Sequence, residues 1–476
     1  MKTAGIIAEY NPFHTGHNYQ IDYVRGTLGA DYVVIAMSGD FVQRGTPALL
    51  SKYVRAEMAL RAGADLVLEL PVSCATASAE LFARGGVQLL DGLGVVDTLC
   101  FGSECGDTEI LIKLAEILVA EPEDFKNVLR RNLKEGMTFP KARSLALGAF
   151  LPENESEKYQ QVLSSPNNIL GIEYCKALLR KKSAIVPAAI KREGNDYHEN
   201  SLSAGSFPSA SAIRSAVIQA ASSNTLATDT TGAASLQAVL STHHGQTASG
   251  ENSAADFSPT VDFNTAALAD LTRNFLPAAC QELFYDAVFR NAFLLENDLD
   301  SLYRYCLLQE KEESLCTYLD MSHSLARRIL ACRDQYETFS QFADLLKTRE
   351  ITRTRIQRAL LHMLLHIQKA PEQIPYARVL GFRKSSSALL GEIKKRGRIP
   401  LLTKLANAKE LLATASDELA LADNEPAFQG VRTVKSSSAL PLLEETTFAS
   451  NLYESILAQK NGTSYVHEYK QQIIIL

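Results

Sequence analysis

Over the first two hundred residues, short apolar runs alternate with longer amphipathic stretches, and this rhythm constrains the fold more than any other feature. TAGIIAEY (3–10), DYVVIAMSG (31–39), ADLVLELP (64–71), DTLCFGSE (97–104) and AIVPAAIKR (184–192) each read as a buried strand. Between them lie segments with helical spacing, among them SKYVRAEMALRAG (51–63), which closes on Gly63, and ASAELFARGGVQLL (77–90); a further helix is expected from about Ser209. Buried strands joined by helical crossovers imply an α/β, Rossmann-like, doubly wound parallel sheet, with its ligand crevice at the carboxyl ends of the strands. Polar residues load those ends: NPFHTGH follows the first strand, SGDFVQRG the second, FGSE the fourth and KREGND the fifth.

At 476 residues the chain exceeds one ordinary core. The α/β rhythm ends near 218, and from 219 to 260 the composition shifts to Ala, Ser, Thr, Asn and Gly, as expected of a flexible linker or insertion. His243 and His244 fall in that tract and are read as solvated. Residues 261–372 carry a helical period throughout, and 373–476 form a mixed α/β C-terminal region ending in a possible strand, QQIIIL. With 46% hydrophobic and 21% charged residues the composition is that of a globular protein, and a net charge of −6 confines any nucleic-acid surface to a local patch. Eight cysteines without a CxxC pair suggest free thiols rather than disulfides or a zinc site. The N-terminus lacks the pattern of a signal peptide and no apolar run approaches spanning length, so a reducing cytoplasm and no membrane are expected. The oligomeric state leaves no mark on the sequence.

A loop that leaves the first strand and enters a helix near Gly16 turns backbone N–H groups and the positive helix end toward the crevice, a favourable place for phosphate. His14 and His17 can donate hydrogen bonds there, Gly16 leaves room for a nucleotide, and Pro12 stiffens the turn. Such preorganised donors lower the barrier to displacement at phosphorus, where negative charge builds. Either imidazole alone would be read as a helix cap or a core filler. The pair, placed after an apolar strand and NPF, points to nucleotide chemistry.

NPFHTGH resembles the HxGH signature of the nucleotidyltransferase superfamily that includes class I aminoacyl-tRNA synthetases and small adenylyltransferases. That superfamily's second element, an ISSTxIR-like loop opening a helix, has a counterpart in PSASAIRSA, with Ser209, Ser211 and Arg214 but without the leading apolar residue. Eight blocks in order, AEYNPFHTGH, AMSGDFVQRGTPA, KYVRAEMAL, GADLVLELP, FGSE, PNNILGIEY, IKREGNDYH and SASAIR, resemble the bacterial tRNA(Met) cytidine acetate ligase family, as do the later TRTRIQRALLHMLL and YARVLGF. The resemblance spans nearly the whole chain outside 219–259.

The resemblance implies an ATP-dependent enzyme. Acetate attacks ATP to give acetyl-adenylate and pyrophosphate, and N4 of the wobble cytidine of elongator tRNA(Met) then takes the acetyl group, giving N4-acetylcytidine. Residues 1–218 become the ATP-binding catalytic domain and 261–372 the tRNA-binding one. The implied ATP cradle is Ile7, Ala8, Glu9, Tyr10, Asn11, Pro12, Phe13, His14, Thr15, Gly16, His17, Asn18, Tyr19 and Gln20, with His14 and His17 catalytic. Gly102 is expected to give close approach, Asn167 a polar contact, and Lys191 with Arg192 charge for the nucleotide or leaving group; Ser209, Ser211 and Arg214 complete the set. Asn167 precedes a helical stretch and reads equally as its N-cap. No dedicated metal cage is visible, so Mg²⁺ is expected to arrive with ATP.

Four further arginines stand out in KTREITRTRIQRAL: Arg349, Arg353, Arg355 and Arg358, flanking apolar positions 351, 356, 360 and 361. A basic helix in an acidic protein suggests an RNA-facing surface, with a solvated, salt-bridged face as the alternative. Asp40, Gln43 and Arg44 close the second strand and are candidates for acetate, for tRNA or for each other. Lys52 and Arg55 open a helix, where the macrodipole disfavours cations, and are read as exposed or as contacts for an anionic partner. Two rival functions stay open on the residues alone: a small-molecule adenylyltransferase, and a non-catalytic RNA-binding module with a nucleotide pocket.

Overall fold

The computed structural model describes residues 1–137, 139–148, 156–192, 209–222, 273, 275–412 and 439–476. Its strands are β1 (Thr3–Ala8), β2 (Tyr32–Ser38), β3 (Phe41–Val42), β4 (Thr46–Pro47), β5 (Leu66–Leu70), β6 (Thr98–Ser103), β7 (Val186–Lys191), β8 (Ala377–Phe382), β9 (Leu401–Leu402) and β10 (Ile474–Ile475). All but the β3–β4 hairpin form one sheet in the order β10-β8-β5-β2-β1-β6-β7, with β9 paired to β8. The five strands expected from the sequence are all present and mutually parallel, β1 lying between β2 and β6. The strand order therefore reverses at β1, which makes the β1–β6 edge the switch point where a crevice opens.

These strands form because both of their faces are covered. In β2, Val33, Val34, Ile35, Ala36 and Met37 are fully buried, and each such Val or Ile contributes about 1.5–3 kcal/mol relative to exposure. One face packs against helices Ala79–Gly92, Thr108–Ala120 and Pro166–Lys181, through residues such as Leu90, Leu111 and Tyr174. The other packs against α1 (Thr15–Gly26), α2 (Lys52–Arg61), Ala210–Ser222 and Ala278–Phe289, through Ile21, Met58, Ile213 and Phe284. A separate helical core gathers Tyr303, Leu325, Phe342 and Leu360, and the long helix Ala439–Lys460 adds Ala449 and Tyr453 to it.

Long-range pairing joins segments far apart in the chain. The helix Ala278–Phe289 packs on α2, where Cys280 Sγ donates to Met58 O at 3.4 Å, rather than on the helical core. Among the described residues of 373–476, the strands β8, β9 and β10 extend the N-terminal sheet, β8 running antiparallel to β5. The helix Ala210–Ser222 takes in the first residues of the 219–260 tract; the rest of that tract, with His243 and His244, lies outside the described residues.

Lys52 and Arg55 correct the expectation of exposure, because both are fully buried. Lys52 Nζ lies 2.7 Å from Glu69, 2.5 Å from Glu468 and 3.7 Å from Asp40, and it donates to Ser450 Oγ at 2.7 Å. Arg378 shares Glu69 and Glu468 at 3.3 and 2.8 Å. Arg55 donates to the carbonyls of Glu9, Ser38, Gly39 and Leu50. The unfavourable helix-end position is offset by carboxylates and carbonyls from distant segments, which no local pattern reveals.

Candidate functional site

At the carboxyl ends of β1, β6 and β7 a cleft of about 480 Å³ opens, lined from one side of the sheet by α1 and Ala210–Ser222 and from the other by Pro166–Lys181. The turn out of β1 places Tyr10 at φ +49°, in the left-handed region, with a cis bond between Asn11 and Pro12. Tyr10 and Phe13 are buried and pack edge to face, and both rings contact His17. The two imidazoles stack with centroids 3.7 Å apart and planes 27° apart.

His14 is itself the N-cap of α1: its Nδ1 accepts from Gly16 N at 3.1 Å, and His17 Nδ1 accepts from His14 N at 3.2 Å. Cap and site, alternatives in the sequence, are one arrangement here. Because both Nδ1 atoms accept, both neutral rings carry their proton on Nε2. Burial pushes the His14 pKa down to about 3, with Arg192 and Arg214 adding to the effect. His17 is held well below the ordinary range by burial, His14 and Arg192. The pair therefore presents two neutral N–H donors at pH 7.

The helix end behaves differently from the expectation of free backbone donors. Thr15 N donates to Phe275 O at 2.9 Å, Gly16 N to His14, and His17 N and Asn18 N to His14 O, so the first turn of α1 is satisfied within the chain. The two imidazoles and the guanidiniums of Arg192 and Arg214 line the cleft beside this helix end. Arg192 is exposed at the end of β7, beside Lys191. A Cβ on Gly102 would lie 3.3 Å from Arg192 Cγ, so this glycine makes room for the arginine stem. Ser209 caps its helix through Ala212 N at 3.2 Å. Arg214 donates to Ser211 Oγ at 2.9 Å and to Asn11 O at 2.5 Å, locking the second loop onto the first.

Most of the expected cradle lines the cleft: Ile7, Ala8, Glu9, Tyr10, Asn11, His14, Gly16, His17, Tyr19, Gln20, Gly102, Asn167, Lys191, Arg192, Ser209, Ser211 and Arg214. The other four serve elsewhere or are not in its wall: Phe13 is core, Asn18 donates to Asp22, Thr15 binds Phe275 O, and Pro12 is buried in the turn. Asn167 is not the N-cap. Ser165 occupies that position, and Glu104 takes up the helix N-terminus by accepting from Asn167 N (3.2 Å), Asn167 Nδ2 (2.8 Å) and Asn168 N (2.8 Å). Glu104, Phe82, Phe101, Leu170 and Tyr174 also line the cleft; the spacing of Asn167, Leu170 and Tyr174 along one helix face was the available signal.

In the second-strand loop, Asp40 accepts from Lys52 N at 2.8 Å, whereas Gln43 and Arg44 reach the cleft. In the helical core, Ile351, Ile356, Leu360 and Leu361 are buried as their spacing implied. Arg358 holds Asp320 with two bonds of 2.8 and 3.2 Å, Arg353 pairs with Glu296 and Asp344, and Arg355 donates to Asp320 O at 3.4 Å, while Arg349 is exposed. Among the described residues no cluster of three or more His, Cys, Asp or Glu is placed to hold a metal, no helix is long and apolar enough to cross a membrane, and all eight cysteines are free.

A parallel sheet that reverses order at β1, with an HxGH pair and an arginine-bearing helix start at the reversal, defines a nucleotidyltransferase of the HIGH class, and the family profile described as HIGH Nucleotidyl Transferase matches residues 1–464. The tRNA(Met) cytidine acetate ligase of Acetivibrio thermocellus is 36% identical over 415 residues, covering 86% of this chain and 89% of that protein. The enzyme of the same name from Caldanaerobacter subterraneus is 38% identical over 413 residues, covering 86% and 90%. Two crystal structures of Thermotoga maritima TmcAL, 27% identical and fully covered on both sides, superpose with TM-scores of 0.81 for an apo form and 0.79 for a form bound with alpha-thio ATP. The chain belongs to the tRNA(Met) cytidine acetate ligase family.

Proposed function

We propose that this protein activates acetate with ATP as acetyl-adenylate and transfers the acetyl group to N4 of the wobble cytidine of elongator tRNA(Met). The observation that carries the reading is the stacked His14–His17 pair, two neutral Nε2–H donors fixed at the switch point of the sheet. When a carboxylate oxygen attacks the α-phosphorus, charge builds on the phosphoryl oxygens, and donors already in place there cost no reorganisation. Neutral rings suit this role, since each keeps one N–H donor and neither repels the other. Arg192 and Arg214 supply positive charge for the departing pyrophosphate, Gly102 admits the Arg192 stem, and Ser211 and Asn11 O orient Arg214. Mg²⁺ arriving with ATP would be held by phosphates and water, neutralising charge on the leaving group.

In the second step N4 of cytidine bonds to the acetyl carbon, the carbon–oxygen bond to phosphate breaks, AMP leaves with that oxygen, and N4 gives up one proton to the departing phosphate or to water. On the same reading Arg349 is the exposed tRNA contact of the four arginines and Arg355, whose side chain bonds only the Asp320 carbonyl among the described residues, stands beside it, whereas Arg353 is paired with Glu296 and Asp344 and Arg358 with Asp320. The names of the relatives supply tRNA(Met) and acetate.

Acetate-dependent exchange of pyrophosphate into ATP tests the first step without tRNA. His14→Ala and His17→Ala are each expected to slow exchange about 10²–10³-fold, the cost of one lost transition-state donor. His14→Asn, which retains a capping side chain, separates catalytic loss from helix fraying. Full exchange in both alanine variants would refute the assigned role.

A further inference from the structure

The β3–β4 hairpin stands between the imidazole loop and the helical core. Its tip, Gln43 and Arg44, lines the cleft. On the nucleotide side it is tied to the turn after β1: Glu9 Oε1 accepts from Gln43 N at 2.8 Å, and Asn11 Oδ1 from Leu49 N at 2.7 Å. Arg55 holds the carbonyls of Glu9, Ser38 and Gly39 in one frame. On the far side Gly45, at φ +78°, is seated so tightly on the helix Arg353–Leu364 that a Cβ would lie 2.4 Å from Arg358 N and 2.5 Å from Gln357 C. Phe41 is buried in the helical core. The hairpin is a rigid span with one end on the nucleotide loop and the other on the arginine-bearing helix.

We propose that Arg44 binds a backbone phosphate of the tRNA beside the acceptor cytidine, so that this hairpin sets the acceptor against the adenylate. The inference deepens the ligase reading and rests on it. A guanidinium matches phosphate with two parallel hydrogen bonds and fixes register without reading sequence. Arg44 is partly exposed at the hairpin tip rather than buried in the cleft floor, as a site for acetate alone would require. The hairpin is seated on the helix Arg353–Leu364, so a strand leaving the cleft over its tip runs toward that helix and the exposed Arg349 just before it. Gln43, beside it, carries an amide suited to a base edge.

The test separates the two half-reactions in the full chain. For Arg44→Ala, acetate-dependent pyrophosphate exchange without tRNA is expected to fall much less than transfer, while the KM for tRNA rises about tenfold. The slope of log kcat/KM for tRNA against log salt should become shallower by about 0.7–0.9, one phosphate contact. Arg44→Gln, which is shorter and keeps an amide donor but not the charge, repeats the test if the alanine variant unfolds. Exchange falling in step with transfer in a folded variant would assign Arg44 to acetate or ATP and overturn the proposal. An unchanged tRNA KM and salt slope would overturn it equally. A wild-type protein that exchanges no pyrophosphate with acetate would overturn the ligase reading, and this inference with it.

Discussion

Replacing Lys52 by Met probes the buried charge cluster that joins α2 and β5 to the C-terminal segments. The cluster holds two cations, Lys52 and Arg378, and three carboxylates, Asp40, Glu69 and Glu468, a formal charge of −1. Burial alone would pull the Lys52 ammonium down, but Glu468 and Glu69 outweigh it and hold the group well above its ordinary range, so it is charged at any working pH. Lys52→Met leaves three carboxylates facing one arginine out of water, a charge of −2. Breaking a buried pair in this way costs about 3–5 kcal/mol. Guanidinium unfolding at pH 7, followed by circular dichroism, reads the loss. Lys52→Met/Glu69→Leu returns the cluster to −1 and is expected to recover part of it, because the cost lies in the unpaired charge rather than in the contact. A loss below about 1 kcal/mol in the single variant, or a double variant destabilised by the sum of its parts, would refute this electrostatic reasoning.

Ring NMR signals of His14 and His17 should remain those of the neutral Nε2–H form down to about pH 5; protonation near the ordinary 6.5 would contradict the buried donor pair. The depressed His14 value means that this ring contributes stability above about pH 6.5 that is lost as the pH falls toward 3, and His17, lowered likewise, acts in the same direction. Gly102→Ala should raise the KM for ATP by no more than about twofold with folding unchanged, because its methyl group, 3.3 Å from Arg192 Cγ, needs the exposed arginine stem to move only slightly, and kinetics with melting curves read both quantities. The Glu454 carboxyl is pushed up to about 8 by burial, then by Asp40 and Glu468, from an ordinary 4.5. Its protonation in the folded state adds stability that is full below about pH 4.5 and lost as the pH rises through 8, so Glu454→Gln should flatten the pH dependence of urea unfolding between pH 6 and 9.

The five parallel strands were legible because burial on both faces leaves unbroken apolar runs such as YVVIAMS and LVLEL. The pairing of β5 with β8 was not: its partners lie some 300 residues apart, and YARVLGF looks like a strand without naming a neighbour. Lys52 and Arg55 were misplaced for the same reason, since their partners come from Glu468, Ser450 and loop carbonyls outside their own helix. The imidazole pair was legible from HTGH, but the neutral state follows from burial and two guanidiniums that only the fold brings near. Glu104 escaped notice because a carboxylate capping a helix 60 residues further on has no local signature.

Acetyl transfer to tRNA is tested most directly by incubating the purified protein with ATP, Mg²⁺, labelled acetate and total bacterial tRNA, then digesting the RNA to nucleosides. Label is expected in N4-acetylcytidine, dependent on ATP and strongly reduced in His17→Ala. Acetate-dependent pyrophosphate release with no label in that nucleoside would contradict the acceptor, and the absence of both would contradict the chemistry assigned to His14 and His17.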